Sequence, residues 1–544
     1  MSILRSSLIM ASGTVFSRFL GIIRAILLAA TIGVTTNAAD AFGVANQLPN
    51  NVYAIIAGGV LNAVLVPQIV KARLHLDGGK AYIDRLLTLA IVTFGSITVL
   101  TTVSAPLLVS LYTNGWSADQ LALATAFAYW CLPQLFFYGL YTLLGEVLNA
   151  KSKFGPYMWA PVLNNSVAIV GMSAFIWQFG LDPTGKQSVA DWTQSQIAWL
   201  AGSATVGVAA QALILLLFWK KMGLSFTLNF SWRGVGLGPA MRTGSWTLGM
   251  LLVTQLGGII QTAVASSSID GRAMTDSSIA IASVAAMSIA WLIFMLPHSV
   301  ATVSIATAYF TKMSVYAMEK RFDELKSDLV DGLRTISMIS VLATTGLIVL
   351  AYPISRVFVG EIPSAIALGN VVIAMVVGLL PFSYVFMIQR AFYSLEDTKT
   401  PFLFTVVQVV VNAIGSITVG LLVQNVWIVV ALSLVTSGSI MVQSLLAFVL
   451  FKRKFGSLGH GQLTFATGKF ALAGVVAGSA GFAVLQAMGG ARPGAFPVLN
   501  VLAAAITCLI IGSVIGVIYI ALLKLLKVRE VNTLLNPILR LLRR

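Results

Sequence analysis

The chain has 544 residues, 58% hydrophobic and only 10% charged, with a net charge of +16. A water-soluble domain carries roughly 25% charged residues, so water is excluded as the main solvent, and long continuous apolar runs exclude the alternating pattern of an outer-membrane barrel. Cys131 and Cys508 sit inside apolar runs without a CxxC or histidine partner, which argues against a disulfide framework or a thiolate metal site.

These limits leave an all-α integral membrane protein. A bilayer span needs about 20 apolar residues, and the chain divides into about fourteen such spans. They fall at roughly 6–33, 41–70, 86–111, 120–147, 157–180, 196–219, 242–268, 278–310, 335–355, 365–390, 401–423, 427–451, 470–488 and 498–523.

Span 1 is too long for the apolar region of a signal peptide and contains Arg18 and Arg24, so it reads as a retained helix. An arginine at mid-bilayer costs about 2.5–3.5 kcal/mol on insertion scales. Two in one helix therefore point to a use, and the planar guanidinium suits phosphate oxygens. Ser17, Gly21 and Arg24 share a face at i, i+4 and i+7, where the glycine admits a ligand or a neighbouring helix. The alternative for Arg18 is that it snorkels or pairs with a carbonyl.

Asp40 stands at the entrance to span 2, where it can pair with an arginine as a gate latch or simply cap the helix. Span 2 is unusually polar, with Asn46, Gln47, Asn50, Asn51 and Asn62, and Asn46 and Asn50 share a face. Such residues either hydrogen-bond between helices or line a wet cavity. The same choice applies to Gln255, Gln261, His298, Gln389, Gln408 and Asn412. After span 5, residues 180–187 read GLDPTGKQ. Gln187 replaces the Ser or Thr of a phosphate-binding loop and no strand precedes it, so the match is rejected. Residues 222–241, with Phe226, Phe230 and Trp232, form an interfacial linker. Residues 315–334 place Met318, Phe322, Leu325, Leu329 and Leu333 on one face, as expected of a helix lying on the bilayer. The basic tail 524–544 repeats that idea.

Charge gives an orientation. With a cytoplasmic N-terminus, 28 of the 34 lysines and arginines fall on the inside, four fall outside, and Arg18 and Arg24 remain within a span. That bias follows the positive-inside rule. It assigns the positive charge to anionic lipid headgroups rather than nucleic acid, and places both termini in the cytoplasm.

An internal repeat accompanies it. Leu48-Pro49-x-x-Val52 recurs as Leu296-Pro297-x-x-Val300, and Leu132-Pro133 recurs as Leu380-Pro381, each at an offset of 248 residues. Mid-span prolines remove a backbone hydrogen bond and bend helices, so bends are expected in spans 2, 4, 8 and 10. Loops ending at Pro156 and Pro401 echo each other. Six spans separate the partners, which predicts two parallel six-helix lobes and an alternating-access transporter with its site between them. The expected division is 1–221 for the first lobe, 222–241 for the linker, 242–454 for the second lobe, 455–523 for spans 13 and 14, and 524–544 for the tail.

The stretch SGTVFSRFLGIIRAILLAATIG, with ADAFGVANQLPN and VLNAVLVPQIV after it, resembles the start of the MurJ/MviN-type lipid II flippases. RAFYSLEDTKTP at 390–401 resembles that family's cytoplasmic turn before span 11. The family belongs to the multidrug/oligosaccharidyl-lipid/polysaccharide exporter superfamily. The resemblance implies movement of the undecaprenyl-pyrophosphate-linked peptidoglycan precursor from the inner to the outer leaflet of a bacterial inner membrane. It further implies that Arg18 and Arg24 bind the pyrophosphate or headgroup, that Asp40 controls opening, and that spans 13 and 14 form a groove for the lipid tail. The chain departs from the family pattern at Ala25, where an acid is frequent, and at Tyr53 and Leu292, where arginines are.

The expectation is therefore a transporter rather than an enzyme. Ser17, Gly21, Arg18, Arg24, Asn46 and Asn50 are expected at the substrate, and Asp40, Pro49 and Pro297 in gating. No cofactor or metal is expected, and the membrane potential or an ion gradient supplies the energy. The partners expected are a lipid-linked anionic precursor, anionic membrane lipids and other cell-wall synthesis proteins. The alternatives are export of another lipid-linked oligosaccharide, or a non-transporting scaffold of cell-wall synthesis.

Overall fold

A computed structural model describes residues 3–56, 80–150, 154–221, 226–231, 237–271, 279–457 and 460–531. Every regular element among them is helical. Twelve helical stretches are long and apolar enough to cross a membrane, and a bent pair, Ile362–Val376 with Leu379–Ser394, makes a thirteenth. These match thirteen of the expected spans. The remaining one, span 2, is seen as Asn37–Ile56, and its second half, with Asn62, lies outside the described residues. Large apolar side chains face outward, with Trp177 90% exposed and Leu422 79% exposed. Only a lipid solvent makes such a surface favourable.

The chain divides into two compact units, Met1–Ser267 and Ser268–Arg544. The first unit contains α1 (Ile3–Ile32), α2 (Asn37–Ile56), α3 (Lys80–Val103), α4 (Ala105–Tyr112), α5 (Ala118–Cys131), α6 (Gln134–Ala150), α7 (Phe154–Phe179), α8 (Gln194–Lys221) and α9 (Leu237–Ser266). Gly33 ends α1 at φ +80, its amide donating to Ala29 O at 2.9 Å. A Cβ there would sit 2.5 Å from the Pro183 carbonyl oxygen, so only glycine meets both demands. The GLDPTGKQ loop packs here, and the Asp182 carboxylate accepts from the Lys186 and Gln187 amides at 2.8 and 2.9 Å. A carboxylate thus fills the amide cradle that a phosphate would need. Helix α9 begins at Leu237, five residues before the expected start of span 7, and packs on α2 and α4 within this unit.

The second unit contains α10 (Val284–Pro297), a π-helical turn at His298–Thr302, α11 (Val303–Met318), α12 (Phe322–Val349), α13 (Ala351–Phe358), α14 (Ile362–Val376), α15 (Leu379–Ser394), α16 (Lys399–Leu422), α17 (Ile428–Phe455), α18 (His460–Ala487) and, after a short turn, α19 (Val501–Leu525). The interfacial helix expected at 315–334 does not form. Instead α11 ends at Met318, and Phe322 opens α12, which runs unbroken to Val349. The apolar face explains the difference. Leu325, Leu329 and Leu333 are buried in a cluster with Met313, Met387 and Ile388, so the stripe finds helices α11 and α15 rather than lipid headgroups.

Two packing schemes recur, one in each unit. Span 2 packs on span 4 through α2 and α5, as span 8 packs on span 10 through α10 and α14. Span 4 packs on span 6 through α5, α6 and α8, as span 10 packs on span 12 through α14, α15 and α17. Both central spans are broken, and the same neighbour repairs each break. Thr205 Oγ1 on α8 donates to Trp130 O at 2.6 Å, and Ser437 Oγ on α17 donates to Ala374 O at 2.9 Å. Carbonyls freed by a helix break must find a donor in hydrocarbon, and the repeat supplies one twice.

The prolines behave less symmetrically than expected. Leu132 and Pro133 separate α5 from α6, and the α14–α15 pair bends by 43° just before Pro381. Pro297 ends α10 and hands over to the π turn. Pro49, in contrast, lies inside a single continuous helix, α2, so span 2 carries its proline without the helix break seen in spans 4 and 10.

Spans 13 and 14 pack on span 9. Helix α18 lies against α12 and α19, and the Tyr519 hydroxyl donates to Met338 O at 2.9 Å. A Cβ on Gly478 would sit 2.7 Å from Thr345 Cγ2, so this crossing depends on the missing side chain.

Candidate functional site

Arg24 lies three-quarters of the way along α1 and is half-buried. Its charge is within electrostatic range of Tyr138 on α6 and Cys131 at the end of α5. No hydrogen bond or ion pair reaches it from the described residues. Arg18 is also half-buried and interacts with a neighbour.

The other residues of that face are already occupied. Asn165 Nδ2 on α7 donates to Ser17 O at 2.8 Å and to Ser17 Oγ at 3.3 Å. A Cβ on Gly21 would lie 3.8 Å from the same Asn165 nitrogen, an ordinary contact. What approaches Gly21 is therefore helix α7. The face divides along its length, packed on α7 at Ser17 and Gly21 and turned toward α5 and α6 at Arg24.

Beside Arg24 runs a polar chain across four helices. Gln134 Nε2 donates to Asn46 Oδ1 on α2 at 3.3 Å and to Thr205 Oγ1 on α8 at 3.1 Å. The Tyr138 hydroxyl donates to Gln134 Oε1 at 3.1 Å. The fully buried Cys131 thiol sits 3.9 Å from Asn46 Oδ1. Asn46 is thus spent on interhelical bonding, whereas Asn50, one turn later, is exposed. Asn51 bonds the Tyr112 hydroxyl at 3.1 Å. Sequence reasoning singled out Asn46 but not Gln134, the residue that joins it to α6 and α8. The signal available was the glutamine directly after the mid-span Leu-Pro pair. Tyr53, standing where the resembled family carries arginine, bonds Thr142 and packs on Tyr138 and Phe94.

Asp40 is completely buried. It is not the N-cap of span 2. Thr36 has that role, its Oγ1 accepting from the Ala39 amide at 3.1 Å. Asp40 lies in the first turn of α2, where the positive end of the helix dipole favours a carboxylate.

The second unit has its own polar centre. His298, in the π turn, places Nδ1 3.2 Å from Ser383 Oγ, and Thr302 donates to the same oxygen at 3.0 Å. The rings of Phe382 and Phe386 enclose the imidazole. Gln408 donates to Ser439 at 3.1 Å and Thr436 donates to Asn412 at 3.3 Å, so these two polar residues join α16 to α17.

The turn at 390–401 is built by local chemistry. The Arg390 guanidinium covers the rings of Phe386 and Phe310. Asp397 accepts from the Thr400 amide at 3.0 Å, from its hydroxyl at 2.6 Å and from Lys454 Nζ at 2.5 Å. Burial would raise the Asp397 pKa, but Lys454 and Thr400 outweigh it and hold the carboxyl below its ordinary value.

A transporter of the exporter type is the class that this repeated, helix-broken architecture defines. Its fold is shared with a solved lipid II flippase MurJ in an inward closed conformation (TM-score 0.69, 19% identity, covering 93% of this chain and 98% of that one). It is shared more loosely with a multidrug resistance MATE transporter of the MOP superfamily in an inward-facing conformation (TM-score 0.60, 15% identity, 81% and 99% covered). The lipid II flippase MurJ family model matches residues 28–490, and the chain belongs to that family. Similar curated proteins include a probable lipid II flippase MurJ from Haemophilus influenzae, 24% identical over 73% of this chain and 77% of that protein. Another, from Vibrio cholerae, is 26% identical over 76% of each chain. The chain is accordingly a multi-pass protein of the bacterial inner membrane and, by family, a lipid II flippase. Arg18 and Arg24 lie ahead of the matched stretch, so their roles rest on their own placement.

Proposed function

We propose that this chain carries the pyrophosphate-bearing headgroup of the lipid-linked peptidoglycan precursor across the membrane by alternating access of the lobes at 1–221 and 242–454, with Arg24 as its principal contact. One observation carries this reading: Arg24 keeps a guanidinium inside a membrane-spanning helix with no hydrogen bond or ion pair from the described residues. Such a group is costly in a bilayer unless something else meets it, and a diphosphate offers matching acceptors.

Arg18 supports the same headgroup one and a half turns earlier. Ser17 and Gly21 position the helix on α7, and Asn46 orients the α6 wall through Gln134. Asp40, with Pro49 and Pro297, governs opening. Both termini face the cytoplasm, as the charge bias supports, and anionic lipids and other cell-wall proteins are the remaining partners. The energy source in this proposal is the membrane potential, which favours outward anion movement by about 2.3 kcal/mol per charge per 100 mV.

The test is complementation of a flippase-depleted strain. Arg24→Glu should abolish growth while the protein still inserts at normal levels, and Arg24→Lys should retain part of it. Full growth with Arg24→Glu removes Arg24 from the mechanism.

A further inference from the structure

The geometry points to a binding site for the phosphate headgroup of an anionic lipid in a pocket between spans 9, 13 and 14, separate from the headgroup route through Arg24. The pocket holds about 300 Å³ and is lined by residues of α12, α18 and the turn after α19. Four cations face it, Arg334, Lys469, Lys527 and Arg529, against one anion, Glu530.

Two of the cations are already engaged. Arg334 Nε lies 2.5 Å from Glu530 Oε1, and Lys469 Nζ donates to Leu526 O at 3.1 Å. Lys527 and Arg529 have no side-chain hydrogen bond or ion pair among the described residues. Helix α19 closes with the Val528 amide donating to Leu523 O at 3.0 Å, and Lys527 takes the left-handed position at φ +53. That position usually belongs to glycine. Val528 and Val531 then anchor the chain in the apolar cluster shared by α12, α18 and α19. The result is two exposed cations, without a side-chain partner among the described residues, at the mouth of a pocket with apolar wall residues such as Phe470.

On the topology proposed above, the pocket opens at the level of the inner-leaflet headgroups. Basic pockets between spans at that level suit anionic lipid headgroups. An apolar wall beside the charges suits a lipid better than a free ion, because acyl chains can lie along it. Lipid retention in this pocket does not involve Arg24 and is read separately from transport.

Native mass spectrometry of the purified full-length protein tests it, with dioleoyl phosphatidylglycerol, dioleoyl phosphatidylcholine and inorganic phosphate as probes. Phosphatidylglycerol should bind in preference to phosphatidylcholine. Lys527→Gln with Arg529→Gln should weaken the phosphatidylglycerol interaction roughly 30-fold, the scale expected for two basic residues at a membrane surface. Arg529→Gln alone, the variant least able to disturb the fold, should weaken it about fivefold. Lys452→Gln with Arg453→Gln, on the exposed end of α17, should change nothing. Equal retention in the pocket variants and the control overturns the proposal. Displacement of the lipid by millimolar phosphate assigns the pocket to a free anion and overturns the lipid source.

Discussion

Gln134 shows how much one side chain can hold in this protein. Its amide joins α2, α6 and α8, and its carbonyl accepts from Tyr138 beside Arg24. Interhelical hydrogen bonds within membranes are worth about 0.6–2 kcal/mol each. Gln134→Leu should lower the thermal midpoint of the purified protein by a loss of about 1–3 kcal/mol, and should reduce complementation because the wall beside Arg24 loses its register. An unchanged midpoint would show the chain of bonds to be incidental. Asp397 makes a second residue-level case, with a pH dependence. Its folded pKa is depressed, so its stabilisation is complete above the ordinary carboxylate pKa near 4 and disappears as pH falls through the lower folded value. Asp397→Asn should cost about 0.5–1 kcal/mol at neutral pH, from the lost ion pair to Lys454 alone, since an asparagine still accepts from the Thr400 amide, and should flatten the acid limb of a stability–pH profile. The sequence marked Arg24 by hydropathy alone, because charge inside a span is visible in one dimension. It could not show Gln134 at the crossing of three helices, since that depends on which faces meet.

At the scale of the element, the two units use one solution with different local outcomes. Matching prolines in spans 4 and 10 accompany breaks, and a hydroxyl from the following even span repairs each. Pro49 leaves α2 whole while Pro297 precedes a π turn that buries His298. A π turn shifts the register of every side chain after it. Pro297→Ala should therefore restore a regular helix and move His298 away from Ser383, reducing transport while α2 is unaffected. Hydrogen exchange at 298–302 would report it, and unchanged protection there would mean that the proline does not set the turn. Gly478 lies where α18 crosses α12. Gly478→Leu should separate spans 13 and 14 from span 9 and destabilise the protein by several kcal/mol through overpacking, read as lost thermal stability. The stretch 315–334 spans the end of α11 and the start of α12 rather than one interfacial helix. Its apolar stripe is real, but periodicity reports only that a face is buried, not whether lipid or another helix buries it.

For the molecule as a whole, the exposed apolar surface and the twelve or thirteen membrane-long stretches among the described residues agree with the composition, and the charge bias gives the proposed orientation. Cysteines introduced at Ser2 and near Arg544 should be labelled by membrane-impermeant maleimide only after the inner membrane is opened. Labelling of intact spheroplasts at either end would reverse the topology and move the basic pocket to the outer leaflet. What the sequence by itself determined was one-dimensional: span number, charge asymmetry, the repeat at 248 residues and the two intramembrane arginines. These follow from the bilayer acting as a uniform solvent, which each segment meets alone. Only the tertiary structure decided that Ser17 and Gly21 serve packing, that Asn46 is spent on Gln134, that Thr36 rather than Asp40 caps span 2, and that Lys527 and Arg529 share a pocket. Those outcomes depend on which helix faces touch, and side chains distant in sequence settle that together.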